Sequence, residues 1–243
     1  MTPTRVVMPL RAGTANELAR FALRAWHTHH PDLEPVLVGG RPTWFRGRHL
    51  ATKQREGPAY QWSENFPAAM RAVADRLDGD LWWTADDIFL LRPLDPGVLY
   101  CREAPLAEYA RRLATRRARS TYMRLYTEGI LAQASIVAEL RPEVTYNADA
   151  HTPHLLHVEN LADLLELFAA RYPQHPAGHF RAVYGALWPR GRVSCAPDPK
   201  VEHPYAVPRR ADLVSLAPGT WRGELGRRLR DLFPIPAPWE AKR

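Results

Sequence analysis

Cysteine is nearly absent: Cys101 and Cys195 are the only two among 243 residues. They stand far apart without metal-type spacing, so the sequence indicates neither a disulfide framework nor a zinc site and fits a reducing compartment. Long hydrophobic runs are missing too. No stretch reaches eighteen apolar residues, which argues against a membrane span, and the apolar stretch from Val6 to Leu10 is too short for a secretory signal. A cytoplasmic protein is expected. There is no internal repeat and no linker long enough to separate two domains. Residues 1–243 are therefore read as one domain, large enough to bury roughly 70–75% of its unfolded surface.

Acidic residues are in deficit, 26 against 33 Lys and Arg, giving a formal charge of +7 and a pI near 9.7. That balance suits an anionic partner, whether nucleotide phosphate, nucleic acid or an acidic surface, and does not choose among them.

What is present begins with alternating elements. Arg5 to Leu10 reads as a strand, and Thr14-Ala-Asn-Glu17 offers a capping box for a helix to about His27. Leu18, Phe21, Ala22, Ala25 and Trp26 form its apolar stripe. Pro35 to Val38 is a second strand, stopped by Gly39-Gly40. Strand, helix, strand makes a βαβ unit and favours a parallel sheet. Arg41 to Tyr60 reads as an irregular loop. Ser63 or Asn65 then caps a helix with Pro67 in its first turn, Phe66, Met70, Val73 and Leu77 as its stripe, and Gly79 as its end.

The centre of the chain is Leu81 to Pro93, LWWTADDIFLLRP, in which Asp86 and Asp87 sit between two runs with the composition of buried strands. Two carboxylates at a strand end call for a counter-charge, commonly a divalent cation held with substrate phosphates. A polar turn between hairpin strands is the competing reading. Because the strand follows a helix, the pair falls at the sheet edge where open α/β folds bind ligands.

Residues 105–133 read as two helices rich in arginine: Arg111, Arg112, Arg116, Arg117, Arg119 and Arg124. They form either a solvated face or an electrostatic footprint for an anion. Val144 to Tyr146 is a possible strand. His151, His154 and His157 follow no helix-borne zinc spacing. A helix opens at Glu159 with Leu161, Leu164, Leu165 and Phe168 buried. The last helix starts near Thr220 with Trp221, Leu225, Leu229 and Leu232 as its stripe.

Several short segments then match one family in order. Asn65 to Pro93, with N-x-x-A-A-M-R-A and T-A-D-D-I-F-L-L-R-P, resembles a segment of Stealth-like sugar transferases and related bacteriophage glycosyltransferases. So do Asp149-x-His151-x-Pro153, Arg181-x-x-Tyr184-Gly185, Asp198-x-Lys200-Val201, Leu213-Val-Ser215 and Phe233-Pro with Trp239-Glu240. The likeness covers most of the chain. Ala85 stands where the family has Asn before the two aspartates, and Ala182 where it has Thr.

The resemblance implies an α/β fold of GT-A-like (Rossmann-like) type, a mixed sheet flanked by helices. Residues 1–100 would be the nucleotide-sugar-binding half and residues 101–243 the helical and acceptor half. The donor would be UDP- or GDP-linked and the cofactor Mn²⁺ or Mg²⁺. Asp87 would hold the metal, His151 would be a second ligand or a phosphate contact, and Asp86 would touch metal-bound water or the sugar. Arg181 and Lys200 would stabilise charge developing on the leaving diphosphate. Pro9, Leu10 and Arg11 would carry base and ribose, with Asn65 and Tyr184 in the donor site. The acceptor would be a virion protein or a hypermodified DNA base, in the host cytoplasm for a phage enzyme. A Stealth-type enzyme would transfer hexose-1-phosphate instead. No general base stands out, though Glu103, Asp149 and Glu202 are available. Two readings compete: a non-catalytic nucleic-acid-binding protein using Arg111 to Arg124, and a metal-dependent phosphohydrolase, which needs a denser set of ligands.

Overall fold

In the computed structural model the described residues are 3–13, 16–57, 60–115, 120–174, 178–201, 211–217 and 219–241; Trp62 is described for its backbone only. The expected α/β architecture is present. β1 (Arg5–Leu10), α1 (Glu17–His29) and β2 (Glu34–Gly39) form the βαβ unit, with β1 and β2 parallel and Val7 opposite Val36. β4 (Asp80–Trp83) lies parallel to β1 on its other side. β3 (Arg48–Leu50) extends the β2 edge in parallel. β7 (His154–His157) closes the opposite edge against β4, antiparallel, giving the order β3-β2-β1-β4-β7. The strand order reverses at β1, which has β2 on one side and β4 on the other. Crevices at such points are where doubly wound sheets take ligands.

Both faces of this sheet are covered, which is why its strands read as continuous apolar runs. Val7, Val36, Val38, Leu81 and Trp83 point into one core, while Val6, Met8, Leu10, Leu37 and Trp82 point into the other. The split follows the two-residue period of a strand. On the first face lie α2 (Phe66–Ala74), α3 (Leu106–Ala114), α4 (Thr121–Leu140), α5 (Val158–Arg171) and α6 (Arg181–Leu187). On the second lie α1, β5 (Ile88–Leu90), β10 (Leu213–Leu216) and α7 (Glu224–Leu232). β5, β10 and β9 (Lys200–Val201) make a small sheet, and β6 (Val98–Arg102) pairs in parallel with β8 (Arg192–Ala196).

Several expectations are corrected. The helix expected after Ser63 begins as a π-helical turn, Gln61–Asn65, that runs into α2. It stops at Ala74, before Gly79, whose φ of +68° turns the chain into β4. Val144–Tyr146 forms no strand; the edge strand lies at His154–His157 instead, where Leu156 packs in the core. Arg41–Tyr60 contains β3, and Arg181–Leu187 is a helix that its short pattern did not announce. Leu232 is 58% exposed, because Phe233 takes the buried place after Leu229. Thr14 of the expected capping box lies outside the described residues. Asn16, at φ +37°, donates from its amide to the Arg11 carbonyl at 3.1 Å instead of capping α1.

Folding also brings together the two cysteines that the sequence keeps apart. Cys101 on β6 and Cys195 on β8 are register partners, both free, the first buried and the second exposed. Burial, with Cys195 alongside, pushes the Cys101 thiol up to about 12.

Candidate functional site

A cavity of about 490 Å³ opens beyond the carboxyl ends of β1, β2 and β4. Pro9, Leu10 and Arg11 line it from the end of β1, Val38 from β2, and Thr84 to Asp87 from the segment after β4. Arg102, Tyr126, Asp149, His151, His179, Arg181 and Lys200 line it from the second half of the chain. Neither half encloses the cavity alone.

The two aspartates sit in a tight turn. The Ile88 N–H donates to the Ala85 carbonyl at 3.3 Å, leaving Asp86 and Asp87 as the central residues. The turn and site readings of this pair therefore hold together: Asp suits the turn, and the turn stands at the mouth of the cavity. The Thr84 N–H reaches the Val7 carbonyl at 2.9 Å and fixes the segment against β1. Asp87 accepts a hydrogen bond from the Ser215 hydroxyl at 3.1 Å and lies 3.9 Å from the Lys200 ammonium. Asp86 is pushed up to about 6 by burial and then by the charge of Asp87, with Arg11 pulling weakly the other way.

A chain of polar contacts runs on from Lys200. Its ammonium lies 3.3 Å from His151 Nε2, and His151 Nδ1 lies 2.8 Å from Asp198 Oδ2. Among the neutral tautomers, the one with its proton on Nδ1 pairs with Asp198 and turns the Nε2 lone pair to Lys200, while Arg102 Nη2 also lies 3.3 Å from Nδ1. Asp198 also pairs with Arg102, whose Nε donates to the Asp149 carbonyl at 2.5 Å. Burial works to raise the Asp198 carboxyl, but His151 and Arg102 outweigh it and hold the group below its ordinary range.

Asp86, Asp87, His151, Arg181, Lys200, Asn65, Pro9, Leu10 and Arg11 all line this one cavity. Arg181, at the start of α6, donates to the Ala150 carbonyl at 2.9 Å. Asn65 is committed to a tie: its amide exchanges two hydrogen bonds, at 2.9 and 2.8 Å, with the backbone of Arg55. Arg11 is joined to Gln61. Tyr184, expected in the donor site, is the exception: it does not line the cavity. It is buried in the core, packs on Trp188, and accepts the His157 N–H at 2.7 Å, because α6 runs back into the core after Arg181.

Of the three bases available in the sequence, Asp149 lines the cavity and Glu103 does not; Glu202 lies outside the described residues. Tyr126 donates to Asp149 Oδ2 at 3.4 Å. Only His151 of the three spaced histidines is at the cavity. His154 is buried in β7, with its protonation disfavoured by burial and then by Arg181, and His157 pairs with Asp80 at the far end of β4. Arg111 and Arg112 project to the surface, where Arg112 pairs with Glu108 on its own helix, as Arg124 does with Glu128. This is the solvated-face reading for the described part of the basic segment; Arg116, Arg117 and Arg119 lie outside it.

Sequence reasoning missed Arg102, Tyr126 and His179. Arg102 ends an apolar strand without any motif. His179 is lowered to about 4 by burial and rests on Gly129 of α4, a helical glycine whose missing side chain makes room for the imidazole. That glycine was the one available signal.

Among the described residues no three His, Cys, Asp or Glu side chains converge as metal ligands. The two residues that the resemblance assigns to the metal, Asp87 and His151, both have the Lys200 ammonium beside them, at 3.9 and 3.3 Å. As folded, this donor set does not fit a divalent ion.

No family model matches the chain, and no curated protein matches it. Solved structures give distant matches. The apo-form glycosyltransferase GlyE of Streptococcus pneumoniae TIGR4 is 12% identical, over 96% of this chain and 61% of that one, with a TM-score of 0.47. A second GlyE structure is 13% identical, over 82% of this chain and 46% of that one, with a TM-score of 0.35. The chain thus spans less than two thirds of the length of either. At that distance the likeness assigns no activity. Among the described residues no helix is long and apolar enough to cross a membrane.

Proposed function

We propose that the protein is a glycosyltransferase that takes a UDP- or GDP-linked sugar in the cavity beyond β1 and β4. One observation carries this reading. Asp87, His151, Arg181, Asp198 and Lys200, drawn from four separately matched segments, meet in or beside a single cavity at the switch point of an α/β sheet. Chance matches scattered from Asp87 to Lys200 have no reason to converge there.

In this reading the base and ribose lie against Pro9, Leu10 and Arg11, and the diphosphate faces Arg181 and Lys200. Breaking the glycosyl–phosphate bond leaves negative charge on the diphosphate, and cationic side chains already aimed at that place stabilise it as it develops. Asp86 and Asp87 face the sugar side. Asp149, which lines the same cavity, would accept the acceptor's proton. A virion protein or a hypermodified DNA base is the acceptor suggested by the family likeness. A Stealth-type enzyme would move hexose-1-phosphate instead, and product mass separates the two because the phosphoryl group either travels or stays.

The test is calorimetric titration with UDP and GDP, with AMP as a control. Saturable binding of a nucleoside diphosphate, weakened by Arg181→Met, supports the reading. Equal or absent binding of all three nucleotides removes it.

A further inference from the structure

Glycosyl transfer from a nucleotide-sugar needs positive charge at the diphosphate, and the family likeness assigns that charge to a divalent ion between Asp87 and His151. The structure places a side chain there. The Lys200 ammonium lies 3.9 Å from Asp87 Oδ2, within ion-pair range, and 3.3 Å from His151 Nε2, within hydrogen-bond range, so it stands beside both of the groups that a metal would use.

Its position is built rather than accidental. Lys200 begins β9, which pairs in parallel with β10, setting Lys200 opposite Ser215. Ser215 also donates to Asp87 Oδ2, so the same register that fixes Lys200 fixes the carboxylate beside it. Asp198, two residues before Lys200, holds His151 by Nδ1 and turns Nε2 towards the ammonium. An ammonium and a divalent ion bound to these same two groups would compete for the same lone pairs.

On the reading that the cavity holds a nucleotide-sugar, we propose that Lys200 is the resident cation of the donor site and that the nucleoside diphosphate binds without a metal. The ammonium, flanked by Asp87 and His151, meets the diphosphate oxygens as a point charge with rotatable donors, a role lysine fills at phosphate sites. It is a binding residue, and Asp87, Asp198 and Ser215 are its positioning residues.

The experiment is titration of the full chain with UDP and GDP in EDTA and in Mn²⁺, for the wild type, Lys200→Met and Lys200→Arg, with thermal melts to verify folding. Wild-type affinity in EDTA is expected to stay within about threefold of that in Mn²⁺. Lys200→Met is expected to lose about 10- to 100-fold in EDTA, the size of a charged hydrogen bond, and to regain part of it in Mn²⁺, since Asp87 and His151 are then free to hold an ion. Lys200→Arg should retain most of the affinity in EDTA. Binding by the wild type only in Mn²⁺ overturns the inference and leaves the proposed function standing. Unchanged binding by folded Lys200→Met in EDTA overturns it as well. No binding of either nucleotide in any buffer overturns both.

Discussion

Asp86 departs from ordinary carboxylate behaviour at the site. Burial and the neighbouring Asp87 raise it from 3.8 to about 6, so the folded protein holds that proton more tightly than the unfolded chain does. The sign follows from linkage: the penalty is absent below pH about 4, grows between about 4 and 6, and is complete above 6. Asp86→Asn removes it. In EDTA at pH 7.5 the variant should be more stable than the wild type by about 1–3 kcal/mol, the advantage disappearing at pH 4. Urea melts at both pH values read this directly, and a wild type as stable as the variant at pH 7.5 would show that Asp86 is not desolvated.

At the scale of elements, the cavity depends on ties between segments distant in sequence. Glu240 anchors the C-terminal tail to α1: it is buried and pairs with Arg20 Nε at 2.5 Å and Arg24 Nε at 2.6 Å, while accepting the Ala237 N–H at 3.0 Å. Burial works to raise its carboxyl, but the bonds from Arg24, Ala237 and Arg20 hold it below the ordinary value. Its stabilising effect is therefore complete above pH about 4.5 and is lost as the pH falls through the lowered value. Glu240→Ala leaves two arginines without their partner, one of them buried, and should cost about 3–5 kcal/mol in a denaturant melt at pH 7. Gly129→Ala tests another tie. Helix propensity alone predicts a gain of about 1 kcal/mol, yet the added methyl would lie 2.3 Å from the buried His179 ring. Overpacking should win, with a net loss of about 1–2 kcal/mol and weaker nucleotide binding as His179 shifts in the cavity wall. A higher melting temperature would show that the ring moves aside at no cost.

For the whole molecule, the pairing of β6 with β8 holds Arg102 against Asp198 and brings Cys101 beside Cys195. The two thiols report on the integrity of this unit. Iodoacetamide at pH 8 should modify the exposed Cys195 in the native protein and leave Cys101 protected until unfolding, because burial keeps its thiol protonated. Intact-mass analysis counts the modified sites, and two rapid modifications under native conditions would mean that β6 and β8 separate readily.

The βαβ opening, the helical stretch at 105–133, the helix from Glu159 and the buried strand before Asp86 were all legible in the sequence, although the second helix of that stretch runs on to Leu140. Each is set by local periodicity or by an apolar run bounded by turn residues, which the chain carries within a dozen positions. Asp86 and Asp87 were legible for the same reason, as two charges interrupting such a run. The short elements were not: β3, β7 and α6 have too few residues to complete a pattern, and their pairing comes from neighbours far along the chain. Tyr184 looked like a site residue because it shares a motif with Arg181, which lines the cavity; one turn further along α6 Tyr184 lies in the core, with its hydroxyl on the His157 N–H. The sequence by itself determined the fold class and singled out Asp86, Asp87, His151, Arg181 and Lys200, which the fold gathers around one cavity. Only the tertiary structure decided that Lys200 stands beside Asp87 and His151, that Asp198 and Arg102 hold that arrangement, and that the two cysteines face each other, since register between distant strands depends on long-range packing that local sequence does not encode.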